Sequence, residues 1–165
     1  MAVRTPDSKI MTLDQAAAWR QTLRGGNLRL ALTNGCFDLL HRGHAEYLAR
    51  SRESADALLV AVNSDASVKA LKGPGRPVVN EQDRAFLLAC LEAVDAVVVF
   101  TTVKPTAVFL QVRPDVYVKG GDYTIDTIDR EECAVLQSLG CEFRFIPFVP
   151  GFSTTSTISR VRGEG

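Results

Sequence analysis

Residues 28–44, LRLALTNGCFDLLHRGH, decide how the rest of the chain is read. Leu28–Thr33 (LRLALT) reads as a strand. Asn34–Asp38 is a loop, and a helix follows through Ala45–Arg52. Strand, tight loop and helix make the first half of a βαβ unit, and the same alternation continues outward in both directions. Upstream, Thr12 and Gln15 have capping-box spacing, which predicts a helix over Leu13–Arg24 closed by Gly25 and Gly26. Downstream, ALLVAV (57–62), AVVVF (96–100), VYVK (116–119) and EFRFI (142–146) read as strands. The first two of these are solidly apolar, as in strands buried on both faces. Helices are expected at 66–71, 81–93, 106–112 and 130–139, with a last one starting near Thr154.

Five short strands separated by helices require right-handed crossovers and a parallel sheet. The expectation is an α/β, doubly wound, Rossmann-like five-stranded sheet with helices on both faces. A single domain is expected over residues 12–162, with a flexible N-terminus at 1–11. Ligands of such folds bind beyond the carboxyl ends of the strands. The loops 34–44, 63–65, 101–104, 119–123 and 147–155 therefore hold the candidate site.

Composition narrows the function. The chain has 165 residues, 46% hydrophobic and 23% charged, enough for a full core. Lys+Arg and Asp+Glu are both 19, so the net charge is zero and no broad nucleic-acid-binding face is expected. No apolar run is long enough to span a bilayer, and no export signal is read at the N-terminus, so no membrane role and a cytoplasmic address are expected. Cys36, Cys90, Cys133 and Cys141 form no C-x-x-C pair and are read as reduced thiols. A Walker loop, a G-x-G-x-x-G fingerprint and a Ser/His/Asp set are all missing.

The two histidines, His41 and His44, fall in one tetrapeptide after the first strand. Three residues apart at a helix start, they share a face and join free N–H groups and the positive end of the helix dipole, a setting for phosphate. Gly43 between them would let a ligand approach the backbone. Two surface histidines would give the same spacing.

His41-x-Gly43-His44, preceded by Gly35-Cys36-Phe37-Asp38, resembles the signature of the H-x-G-H nucleotidyltransferase superfamily. Asn63-Ser64-Asp65, Leu71-Lys72-Gly73 through Arg76, Arg84, Lys119-Gly120-Gly121-Asp122-Tyr123 and Gly151-Phe152-Ser153-Thr154-Thr155 extend the likeness over about Thr12–Arg162. In this order they resemble the branch that adenylylates D-glycero-D-manno-heptose 1-phosphate, in a stand-alone form without a sugar-kinase half.

The resemblance implies nucleotidyl transfer from ATP with Mg²⁺ as the accompanying cofactor, heptose 1-phosphate as the acceptor, a place in lipopolysaccharide or surface-glycan synthesis, and a homodimer. It implies His41, His44 and Lys72 as catalytic. Gly35, Cys36, Phe37 (through its N–H), Gly43, Lys119, Gly120, Asp122, Ser153, Thr154 and Thr155 would bind the nucleotide. Asp38, Asp65, Arg76 and Arg84 would bind the acceptor, Asp38 alternatively a metal. Such chemistry needs no general base, because the attacking phosphate is already ionised; it needs alignment and charge neutralisation. The alternatives are a cytidylyltransferase acting on glycerol 3-phosphate and a non-catalytic nucleotide-binding module. The cytidylyltransferase branch carries an R-T-x-G-I-S-T-T segment, and here Val149-Pro150-Gly151-Phe152-Ser153-Thr154-Thr155 lacks the Arg-Thr pair.

Overall fold

The computed structural model describes residues 4–163. Its sheet is wholly parallel, with strands β1 (Ile10–Met11), β2 (Leu30–Gly35), β3 (Ala57–Asn63), β4 (Ala96–Phe100), β5 (Val116–Gly120) and β6 (Glu142–Ile146) in the order β1-β4-β3-β2-β5-β6. Helices α1 (Leu13–Gly25), α2 (Arg42–Arg52), α3 (Asp65–Lys72), α4 (Glu81–Cys90), α5 (Thr106–Val112), α6 (Arg130–Ser138) and α7 (Thr154–Arg162) alternate with them. The Rossmann-like class is as expected.

The sheet has six strands where five were expected. The extra strand is β1, paired to β4 through Ile10–Val97 and Met11–Val98 and preceded by a 3-10 turn at Pro6–Lys9. Part of the segment expected to be flexible is thus hydrogen-bonded into the sheet; Met1–Val3 lie outside the described residues. Helix α2 also begins earlier than expected, at Arg42 rather than Ala45, because His41 caps it.

Alternation along the strands divides the core between two faces. Leu30, Leu32, Leu59 and Ala61 pack with Leu23 of α1, Phe109 of α5 and Leu136 of α6. Ala31, Leu58, Val60 and Val62 pack with Leu48 of α2 and Leu88 of α4. Every residue of β3 is buried, which explains why its sequence shows no polar alternation.

Three aspartates fix the register at the amino ends of the strands. Asp56, Asp95 and Asp115 each precede a strand and accept an N–H at or just before the start of a neighbouring one: Arg29 at 2.8 Å, Leu58 at 2.9 Å and Leu30 at 2.7 Å. Asp115 also holds the buried Arg20 guanidinium at 2.6 Å, whose other nitrogens donate to the Arg113 and Leu28 carbonyls.

The chain leaves β2, builds β3 and β4 on one side, and crosses back to place β5 on the other. The switch point between β2 and β5 opens the crevice in which such folds bind ligands. Asp115→Ala should cost about 2–4 kcal/mol, because it strands a buried charge and an amide together. Asp56→Ala loses one exposed cap and should cost about 1 kcal/mol. Urea denaturation of both variants measures the difference.

Candidate active site

A cleft of about 500 Å³ opens at this switch point. Its floor is the carboxyl ends of β2, β3 and β5, contributing Asn34, Gly35, Asn63, Lys119 and Gly120. A second cavity of about 310 Å³ adjoins it and shares His44, Tyr47, Phe148 and Thr154.

The loop after β2 carries strain. Phe37 and Leu39 have φ of 48° and 50°, a left-handed conformation unfavourable for residues with bulky side chains. Three contacts hold it there. Arg84 Nη1 donates to the Cys36 carbonyl at 2.6 Å. Thr154 Oγ1 donates to the Asp38 carbonyl at 2.9 Å. The Asp38 carboxylate, fully buried, accepts from Arg76 Nε at 2.7 Å and from the Val78 and Val79 N–H groups at 2.8 and 3.0 Å. Burial pushes this carboxyl up, but the three donors outweigh it and hold it below the usual carboxylate range. Among the described residues the Phe37 N–H has no acceptor, and Phe37 lines the cleft.

His41 and His44 occupy the N-cap and N3 positions of α2. The His41 ring accepts the His44 N–H, and the His44 Nδ1 accepts the His41 N–H, each at 3.4 Å. This is a capping box made of imidazoles, and its three-residue spacing is the spacing of the motif. The rings stack with centroids 3.9 Å apart. Because each Nδ1 accepts a hydrogen bond, the proton of the neutral ring lies on Nε2, which remains a free donor. Burial lowers the His41 pKa. Burial, with repulsion from His41 secondary, brings His44 down to about 4. The pair is therefore neutral at pH 7.

Gly43 has a packing reason that the sequence did not show. A Cβ there would lie 2.9 Å from the Phe152 Cβ and 3.0 Å from the His41 ring, so the clearance is filled by this chain rather than left for a ligand. Gly120 likewise makes room for the Tyr47 and Phe148 rings. Tyr47 stands between the strands, donating to the Val118 carbonyl at 3.1 Å and contacting Thr33 Oγ1 at 2.6 Å. Burial pushes its hydroxyl up to about 12.

Lys72 and Arg76 line the large cleft from the segment at and after the end of α3. Thr154 and Thr155 line it from the start of α7, whose first N–H groups have no intrahelical acceptor. Ser153 caps that helix and lines the smaller cavity, as do His41 and Gly43.

Three expected site residues lie apart. Arg84 is buried beneath the loop, bonded to Cys36, Val79 and Asp65. Asp65 serves as its partner at 2.8 Å and lines neither cavity. Asp122 is exposed, and its neighbour Tyr123 lines the cleft instead. Asp38, expected on the acceptor or a metal, has both oxygens occupied and acts as a clamp.

The sequence reading also missed several lining residues. Asn34 and Asn63, polar ends of apolar strands, and Tyr47, one turn past His44, were signalled by position. Glu132 was not.

The model of the cytidylyltransferase-like family matches residues 32–161, which spans the strained loop, the histidine pair and α7. The chain belongs to the cytidylyltransferase-like family. It is similar to the bifunctional protein HldE of Geotalea uraniireducens, 45% identical over 94% of this chain and 31% of that protein. HldE of Methylobacillus flagellatus is 46% identical over 93% of this chain and 31% of its own length. The chain thus spans about a third of the curated relatives it matches. Among solved structures, a lipopolysaccharide core biosynthesis protein from Thermoplasma volcanium superposes with a TM-score of 0.61 and 26% identity, covering 74% of this chain and 97% of that one.

In this cytidylyltransferase-like domain Lys72, His44, Phe37 and the start of α7 line the large cleft, and His41 lines the adjoining cavity. No helix among the described residues is long and apolar enough to cross a membrane.

The depressed histidines make stability depend on pH. An unfolded His44 binds a proton near pH 6.5, whereas the folded one does so only near 4. Their contribution is therefore complete above about pH 6.5 and is lost as pH falls towards 4, by at most about 3 kcal/mol for His44. Urea midpoints at pH 7 and 5 should fall in that order, and His44→Asn should flatten the fall.

Proposed function

We propose that this chain transfers AMP from ATP to D-glycero-D-manno-heptose 1-phosphate, giving ADP-heptose and pyrophosphate for lipopolysaccharide core or surface-glycan synthesis. The acceptor's identity is carried by the 45% identity to HldE across 94% of the chain. That identity joins the motif series from Gly35 to Thr155, which resembles heptose 1-phosphate adenylyltransferases.

In the proposed reaction a phosphate oxygen of the acceptor attacks the α-phosphorus of ATP. The bond from that phosphorus to the bridging oxygen breaks, and pyrophosphate leaves. The Phe37 N–H and the Nε2–H of His44 and His41 donate to phosphate oxygens as charge shifts. Lys72 brings the two anions together, and the start of α7 receives the leaving group. Neutral imidazoles suit this role, since they donate without needing a proton transfer. Because bound phosphate favours the charged ring, nucleotide binding is expected to raise the His44 pKa.

Magnesium bound with ATP would supply further charge neutralisation. Among the described residues no group of three or more His, Cys, Asp or Glu could hold a metal, and the Asp38 oxygens are taken. In this reading the ion would come with the triphosphate.

Pyrophosphate release should occur with ATP and a heptose 1-phosphate, and not with CTP and glycerol 3-phosphate. The reverse pattern would move the chain to the cytidylyltransferase reading. His44→Ala should keep the fold and lower turnover about 10²–10³-fold. We further propose a homodimer; sedimentation showing only an 18.0 kDa species at micromolar concentration would remove that element.

A further inference from the structure

Glu132 is the one side chain of the large cleft whose chemistry opposes phosphate and is not already satisfied. It sits at the third position of α6, where a glutamate ordinarily reaches back to the N-cap amide. Here Asp129 alone caps the helix, and Glu132 lines the cleft. The residue is only 8% exposed. Among the described residues its oxygens accept no hydrogen bond. Its ion-pair partner, Lys119 Nζ, stays 3.9 Å away. Lys119 is itself engaged, donating to the Tyr117 hydroxyl at 3.2 Å and lying 5.1 Å over the Tyr123 ring. Among the described residues no buried side-chain oxygen lacks a partner, so the Glu132 oxygens open onto the cleft, where a ligand that brings donors can meet them.

The ligand group that meets Glu132 must be rich in donors and free of negative charge. Hydroxyls of a polyol meet both conditions. The neighbouring amides fit the same group. Asn34 Oδ1 accepts from Tyr117, leaving its NH₂ free, while Asn63 donates to Ser67, leaving its carbonyl oxygen free. Glu132 lines the cleft with Lys72 and Arg76 and does not line the smaller aromatic cavity beside Phe148 and Phe152. We propose that Glu132 reads hydroxyl groups of the phosphorylated acceptor and so selects a polyol phosphate over bare phosphate. This specificity role rests on the acceptor reading given above.

The test is steady-state kinetics of Glu132→Gln, which keeps the shape and removes the charge. With heptose 1-phosphate varied at saturating ATP, its KM should rise about 10–100-fold. The KM for ATP and the Ki of inorganic phosphate as a competitor should stay within about threefold. A rise in the ATP KM in place of the acceptor KM would assign Glu132 to the nucleotide and overturn the proposal, as would unchanged values for both. A parallel loss in every constant with a lowered Tm would show that it merely steadies Lys119, and would also overturn it. If the variant does not fold, deoxy analogues of the acceptor replace it. Wild-type protein should lose at least tenfold in kcat/KM when the hydroxyl that Glu132 reads is removed, and indifference to every deletion refutes the role. Wild-type protein active on heptose 1-phosphate with a normal Glu132→Gln would sink this inference alone. Wild-type protein indifferent to all hydroxylated phosphates would sink the acceptor reading with it.

Discussion

The site depends on one buried carboxylate. Asp38 ends the loop after β2 and receives the Arg76 guanidinium and the N–H groups of Val78 and Val79. Segments about forty residues apart in sequence are thereby joined at hydrogen-bond distance. The left-handed Phe37 and Leu39 persist because this clamp, with Arg84 below and Thr154 above, over-determines their conformation. Removing any one donor would leave a buried charge short of partners, which is why such junctions resist gradual change.

The histidine pair illustrates a second economy of structure. A helix start needs its first amides satisfied, and a phosphate site needs neutral donors aimed at the ligand. One spacing serves the helix and keeps donors for the proposed site: Nδ1 of each ring closes the helix, and the proton stays on Nε2. The tautomer is set by the fold before any substrate arrives, and the stacked rings discourage protonation of either.

Strands β3 and β4 were legible because apolar runs of five to seven residues, almost wholly buried, have few alternatives, whereas β6 was legible from the alternation of EFRFI. Strand β1 was not, since two residues carry no periodicity. The start of α2 was misplaced because the familiar capping residues are Ser, Thr, Asp and Asn, and here a histidine does the work. The loops that form the cleft followed from strand polarity alone. Individual roles followed less well. Asp38 looked like a ligand-binding residue because nothing local announces that Val78 and Val79 will supply its donors. Asp65 and Arg84 satisfy one another. Glu132 was hidden among Arg130 and Glu131 at a helix start, where a charged residue is ordinarily solvated.

The pairing of cations around the cleft has a consequence for how it empties. Arg76 is neutralised by Asp38, and Lys119 faces Glu132, so Lys72 is the lining cation without an ion pair among the described residues. The resting cavity is close to electroneutral, in keeping with the balanced charge of the whole chain. Such a cavity holds an anion by directed short-range bonds rather than by a broad field, so its grip fades once the geometry changes. In the proposed reaction a phosphate-bearing product that no longer fits the donors would leave without having to escape a deep electrostatic well.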